Sequence, residues 1–377
     1  MVDWLCTCWY MAGWSDEIGD NGLSRRICDE PIYLYRLPSG EPAAMADRCP
    51  HRFAPLSLGS RDGDNVVCGY HGLTFSPEGK CVRNPFSERI PSTFKVRTYP
   101  AVERHGIVWL WLGSPETADE TKIPDFSFIP DTAHSRTVHG YTLMNANYEY
   151  GTDNLLDLSH IEFVHKGSIA GQGVIFAGQH SVRVDGDTLH SDWFMPDVPL
   201  PSVAYGRYPS ETRVDHWLEM RWNAPASMCL MIGACPHGQP RETGFELPQA
   251  HILTPASEHE SHYFWSSTRY HDLDSLETDA ALIEMLGRRQ ADDRGSVCEC
   301  AREGFLEAAA AVTWCRQRWR SSTPPDRGDA QGGNRVRRSI PARGKHRGRN
   351  VTSRLHRGRP LWVADSGDRF NTLPWRR

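Results

Sequence analysis

The sequence predicts an α+β chain: a small all-β domain over residues 1–120, then a domain over 121–311 in which helices flank an antiparallel sheet. Three observations predict it. Short strand-like runs, broken by Gly, Pro and Asp turns, fill the first 115 residues. Stretches of alternating polarity follow an amphipathic helix at 154–165 and precede a second helical region that begins near Leu276. The charge is also divided. Residues 311–377 carry 16 Arg and 1 Lys against 4 Asp, or +13, which leaves 25 basic and 43 acidic side chains, or −18, to the rest of a chain whose net charge is −5. Two regions so different are not one folded unit, and 312–377 is set apart as an Arg-rich tail.

In chain order, Ile32–Tyr35, Val66–Cys68 and Ile107–Trp111 read as strands of the first domain. Residues 114–132, with Pro115, Pro124 and Pro130 among acidic residues, read as a linker or domain edge. After the helix, Ser181–Val184 and Trp217–Trp222 alternate as strands, Ala280–Leu286 has helical composition, and helix resumes at 297–311. The tail has no hydrophobic period. A disordered or out-of-frame segment accounts for it better than a nucleic-acid-binding arm, so no nucleic-acid partner is expected. No apolar run approaches the roughly twenty residues of a membrane helix. The start, Met1-Val2-Asp3-Trp4-Leu5-Cys6, is not that of a signal peptide, and a cytoplasmic protein without a membrane partner is expected. Eleven cysteines, odd in number and irregularly spaced, favour metal sites over a disulfide framework.

Two constellations carry chemistry. Asn154, Asp157, His160 and His165 share one apolar-bracketed stretch. Two histidines and a carboxylate with open positions are the donor set of non-haem Fe(II) oxygenases. A regular helix would splay residues five apart by roughly 140°, so the helix must end or bulge between His160 and His165 for both to bind one ion. An amphipathic core helix with two partly buried histidines is the plainer alternative. Upstream, Cys49-Pro50-His51 and Cys68-Gly69-Tyr70-His71 are two tight pairs, each mixing one sulfur with one nitrogen donor. Zinc sites usually set cysteine beside cysteine and histidine beside histidine. The mixed pairs suit a Rieske [2Fe–2S] cluster, each loop giving one ligand to each iron, with zinc as the alternative.

The runs Cys49–Gly59 and Cys68–Leu73, Gly106–Trp111 and Asn154–His165 together resemble the Rieske oxygenases, in particular the oxygenase components of vanillate O-demethylase and related methoxybenzoate demethylases. The resemblance spans about residues 5–310. It implies a Rieske domain followed by a helix-grip catalytic domain. It implies cluster ligation by Cys49, His51, Cys68 and His71, and Fe(II) ligation by His160 and His165. Asp157 then links a Rieske histidine of one subunit to an iron-ligating histidine of the next, with Asn154 able to hydrogen-bond beside it. For the third iron ligand the resemblance points to Asp293, with Asp292 as runner-up, although Asp293 stands six residues before Glu299 where the family has five. The implied reaction is O₂-dependent monooxygenation of a small aromatic substrate, in particular O-demethylation of a methoxyarene carboxylate. A head-to-tail homotrimer is implied, fed by an NAD(P)H-dependent reductase with or without a ferredoxin, and no nucleotide-binding fingerprint is visible in this chain. Ring (di)hydroxylation on the same scaffold is one alternative, and an electron carrier or metal-dependent binding protein is another. Arg221, Asn223, Met228, Met231 and His251 are expected in the strands that wall the pocket.

Overall fold

The strand Ile107–Trp111 explains how the two expected domains meet. All five of its residues are buried, although a strand covered on one face would alternate. Val108 and Leu110 pack with Tyr10, Ile18 and Leu34 inside the first domain. Ile107, Trp109 and Trp111 turn the other way, against Phe126 and the sheet residues Ala250, Ile252 and Phe264. The continuous apolar run is therefore two half-faces, one for each core. The structure is a computed structural model that describes residues 4–165, 173–204 and 206–287.

The first domain is all β, as expected. Trp9–Trp14, Ile107–Trp111 and Ala101–Arg104 form a three-stranded antiparallel sheet. Leu23–Ile27, Glu30–Arg36, Pro42–Ala46 and Thr98–Tyr99 form a second. The short strands Ser60–Asp62, Asn65–Val67, Thr74–Phe75 and Cys81–Arg83 form a third, which carries the Cys/His loops. Residues 114–132 contain 3₁₀ turns at Pro115–Thr117 and Glu120–Lys122. They are less a free linker than a packed edge, since Ile123, Phe126 and Ile129 are buried in the seam. Hydrogen bonds fix that seam. Thr254 Oγ1 donates to the Met11 carbonyl at 2.8 Å, His262 Nε2 to that of Arg26 at 2.7 Å, and Trp14 Nε1 to that of Gly140 at 3.0 Å.

The second domain is built on seven antiparallel strands in the order Arg136–Met144, Glu260–Arg269, Phe245–Ser257, Ser227–Pro236, Arg213–Asn223, Thr188–Pro199, Gln179–Asp185. One face meets the first domain through Ala250, Ile252 and Phe264. The other, with Met228, Leu230, Leu253 and Trp265, packs with Leu155, Leu156 and Leu158. Helix α1, Tyr148–Leu156, starts where Asn147 Oδ1 accepts the Glu149 N–H at 2.9 Å. It can lie close to the sheet because residue 151 is glycine: a Cβ there would stand 3.2 Å from the Leu253 methyls. Helical residues 276–287 bury Leu286 in the same core. Their Asp279 is held by the buried Arg269 and, at 3.1 Å, by Arg136. Among the described residues, no helix is long and apolar enough to cross a membrane. The helix expected at 297–311, both Asp292 and Asp293, and the tail 312–377 lie outside the described residues.

Candidate functional site

The two Cys/His loops are closed by the same pair of backbone hydrogen bonds. In the first, Cys49 N donates to Ala54 O at 2.9 Å and Phe53 N to Cys49 O at 2.8 Å; in the second, Cys68 N donates to Leu73 O at 2.8 Å and Gly72 N to Cys68 O at 2.9 Å. Each loop turns through a left-handed residue, Phe53 at φ 60° and Gly72 at φ 72°. Glycine takes that conformation freely, whereas Phe53 holds it at a cost of roughly 1–2 kcal/mol. The loops also touch: a Cβ on Gly59 would stand 2.0 Å from the Val67 carbonyl oxygen. Buried Asp47 steadies the base, its carboxylate accepting from Ser24 Oγ at 2.6 Å and from Ser57 N and Oγ at 2.7 and 2.6 Å.

This frame sorts the donors into two pairs. The thiols of Cys49 and Cys68 are both buried. Burial pushes the Cys49 thiol up to about 11, and the neighbouring Cys68 thiol adds to the rise. The rings of His51 and His71 stand edge to face at 4.7 Å between centroids. His51 Nδ1 is buried without a hydrogen-bond partner, a lone pair left for something other than protein. Sulfur beside sulfur and nitrogen beside nitrogen is what a cluster with two cysteines on one iron and two histidines on the other requires. A single zinc ion needs all four donors to converge on one point. The site fits the cluster.

The second centre lies where α1 ends. The helix was expected to end or bulge between the histidines; it does end there, after Val164, and it is also broken once ahead of both, at Asp157. Asp157, at φ −92° and ψ 80°, stops α1. A 3₁₀ turn at Leu158–His160 follows, then one helical turn α2, Ile161–Val164, and His165 leaves it at φ −101°, ψ 22°. The tighter turn and this exit bring the two rings to 5.3 Å, edge to face. His160 Nδ1 stands 2.5 Å from the Asp157 carbonyl oxygen. Donation there fixes the tautomer that presents Nε2 to a metal. The Asp157 carboxylate is exposed and caps the 3₁₀ turn, Oδ1 accepting from Ser159 N at 3.1 Å and Ser159 Oγ at 2.6 Å. Asn154 is half-buried in the last turn of α1. No group of three His, Cys, Asp or Glu side chains converges on one point among the described residues.

Profiles of known families decide what carries these loops. One described as the Rieske [2Fe-2S] domain matches residues 8–100, and one described as the vanillate O-demethylase oxygenase C-terminal domain matches residues 144–340. The chain belongs to the Rieske oxygenases. It is 38% identical to the oxygenase component of dicamba O-demethylase from Stenotrophomonas maltophilia, over 80% of this chain and 89% of that one. It is 35% identical to the vanillate O-demethylase oxygenase subunit of Pseudomonas sp. (strain HR199 / DSM 7063), over 69% and 76%. Dicamba monooxygenase bound to 3,6-dichlorosalicylic acid superposes with a TM-score of 0.78 at 33% identity, covering 85% of this chain and 98% of that one. Another structure of that enzyme, with non-haem iron and dicamba, superposes at 0.67. As a Rieske oxygenase, the protein works with a [2Fe–2S] cluster and a mononuclear iron.

The five side chains expected in the strands that wall the pocket divide between the two faces of the sheet. Met228 and His251 lie on the face packed with Leu156 and Leu158, where His251 Nδ1 is 2.7 Å from the Tyr263 hydroxyl. Arg221, Asn223 and Met231 point the opposite way. Arg221 lies over the Phe126 ring at 5.3 Å, and Asn223 Nδ2 donates to Thr188 Oγ1 at 2.8 Å. Alternation shows that a strand has two faces but not which one meets the metal. The sequence also hid Asp47 and Glu162. Glu162, between the two histidines, is buried and accepts from Gly173 N at 2.9 Å and Ile175 N at 3.0 Å. No spacing in the sequence marks either acid.

Proposed function

We propose that Cys49 and Cys68 hold one iron of the cluster and His51 and His71 the other, and that His160, His165 and Asp293 hold the mononuclear Fe(II). The observation that carries this is the separation of the first four donors into a thiol pair and an imidazole pair. When bound, the two centres supply electron relay and O₂ activation. The residues around them do the rest. Asp157 joins a Rieske histidine of a neighbouring copy to His160, and Asn154 hydrogen-bonds beside it. Exposed Tyr70 and Phe86 lie beside His71, at 4.0 and 6.1 Å between ring centroids, with Phe53 and Leu58 exposed after the first loop, while Phe163, between the two iron histidines, lies exposed against the ring of Phe176. Two different apolar patches on one chain favour a head-to-tail contact, which closes into a ring of copies; three is the number we propose.

The reaction proposed is O-demethylation of a methoxyarene carboxylate in the cytoplasm. One oxygen atom of O₂ enters the methyl C–H bond and the other leaves as water. The two electrons come from NAD(P)H through a separate reductase. The resulting hemiacetal breaks to a phenol and formaldehyde. Among apolar Met228, Leu230, Leu253 and Trp265, the polar pair His251–Tyr263 is suited to orient one carboxylate or phenolic oxygen. Assay of methoxybenzoates with a reductase should give one formaldehyde per NAD(P)H consumed. A ring diol without formaldehyde would turn the reading to a dihydroxylase; two irons per chain and no O₂ uptake would turn it to an electron carrier. Asp293→Ala should lower mononuclear iron severalfold while cluster absorbance stays, with a smaller loss in Asp292→Ala. Full occupancy in both would place the third ligand elsewhere. We place the domain division near residue 120, within the packed edge.

A further inference from the structure

Among the described residues, six cations on the cluster-bearing sheet and its flanks lack an ion-pair partner. Arg48, Arg52, Lys80, Arg83, Arg89 and Lys95 are all exposed. None approaches a carboxylate within 4 Å among the described residues, whereas elsewhere Arg36 pairs with Glu103, Arg213 with Asp197 and Arg241 with Glu219. Residues 48–97 hold eight basic side chains against four acidic ones, a local +4 in a chain that is −18 ahead of its tail. In sequence these cations flank the loops and aromatic rings that hold the imidazole pair. Arg48 and Arg52 bracket Cys49–His51, and Arg48 lies over the Phe53 ring at 4.1 Å. Lys95 adjoins Phe94, whose ring is 5.9 Å from His51, and Arg83 and Arg89 bracket Phe86, 6.1 Å from His71. Lys80 and Lys95 even face each other across an antiparallel bridge, a like-charge placement that costs stability.

We infer that this basic rim is the docking surface for the protein that reduces the cluster, and that this donor presents an acidic face; the inference rests on the oxygenase-component function proposed above. Two kinds of contact are needed near the Rieske histidines, and the surface offers two kinds of chemistry. A lasting contact between copies has a core depleted of charge, which the exposed Phe53, Tyr70 and Phe86 supply. A donor must come and go with every delivery. Unpaired rim charges raise the encounter rate more than the affinity, which suits such a partner.

The probe is a reduced plant-type [2Fe–2S] ferredoxin, an acidic protein, mixed with the full chain under anaerobic conditions while cluster absorbance is followed. Photoreduced lumiflavin, small enough to reach the cluster from many sides, is the control. The wild-type rate with ferredoxin should fall about tenfold between roughly 0.02 and 0.3 M salt. Lys80→Glu/Arg83→Glu/Lys95→Glu should cut the low-salt rate at least ~10-fold and flatten its salt dependence. Reduction by lumiflavin and the sedimentation coefficient should stay as in wild type. If the triple variant does not hold a cluster, Lys80→Gln/Lys95→Gln serves, with a drop of about threefold. Wild-type ferredoxin rates in the variant would overturn the inference. So would loss of the oligomer, because the rim would then belong to the contact between copies. A wild-type chain that lumiflavin cannot reduce would bring down the oxygenase reading itself, a failure distinct from both.

Discussion

Asp157→Asn is expected to leave both metals in place and stop turnover. The carboxylate has one duty within the chain and a second, proposed above, between copies. Locally it caps the Leu158–His160 turn through Ser159 N and Oγ. Asparagine keeps an acceptor in the same place, so the cap survives at a cost of no more than about 1 kcal/mol. The His160 Nδ1 contact also survives, because it goes to the main-chain carbonyl of residue 157 rather than to its side chain. What the substitution removes is the negative charge of an exposed carboxylate, the strongest acceptor available to a histidine N–H of a neighbouring copy. The variant should therefore contain three irons per chain and a cluster that an external donor reduces normally. Reoxidation of the reduced protein on mixing with O₂ and substrate should slow roughly 100-fold or more. Wild-type reoxidation would reduce Asp157 to a cap.

How much of this was legible in the sequence depended on the range of the interaction. Ile107–Trp111 and Ser181–Val184 could be read as strands because β-branched and aromatic runs between turn residues specify local backbone. The Cys/His pairs could be read because a cluster imposes donor types and short spacings. Phe53 could not be read as left-handed, since nothing in its own chemistry asks for φ 60°. Its conformation is imposed by the bond from its N–H back to Cys49 O. The joint at Asp157 was half-legible. The five-residue gap between the histidines demanded a helix end between them, which comes after Val164, but only the capping of Ser159 by Asp157 adds the earlier break ahead of His160. Glu162 and Asp47 were invisible because their partners are backbone amides and hydroxyls brought in by tertiary structure. That Arg221, Asn223 and Met231 lie on the face opposite Met228 and His251 was not legible for a related reason. Both faces of that sheet are buried, one against α1 and one against Ile107–Trp111, so burial alone could not choose.

Cys68→Ser is expected to abolish the cluster while the chain stays folded. The loop does not depend on the sulfur for its shape. Its closing bonds, Cys68 N to Leu73 O and Gly72 N to Cys68 O, are made by backbone that serine retains. A serine hydroxyl is a poor replacement for thiolate, and the buried position of residue 68 leaves no room for another donor to reach in. Iron content should fall from three per chain to one, because His160 and His165 sit on a separate joint after α1. The Rieske resonance of the reduced protein should vanish, and thermal stability should drop to that of the cluster-free protein. His71→Cys completes the comparison. It keeps four donors but breaks the imidazole pair that stands 4.7 Å apart. A coloured protein without the Rieske signature is expected, since it is two histidines on one iron that raise the potential and define the spectrum. If Cys68→Ser keeps the wild-type resonance, Cys68 is not a ligand. If the wild type itself is colourless and binds one zinc, the thiol and imidazole pairs serve a single ion instead.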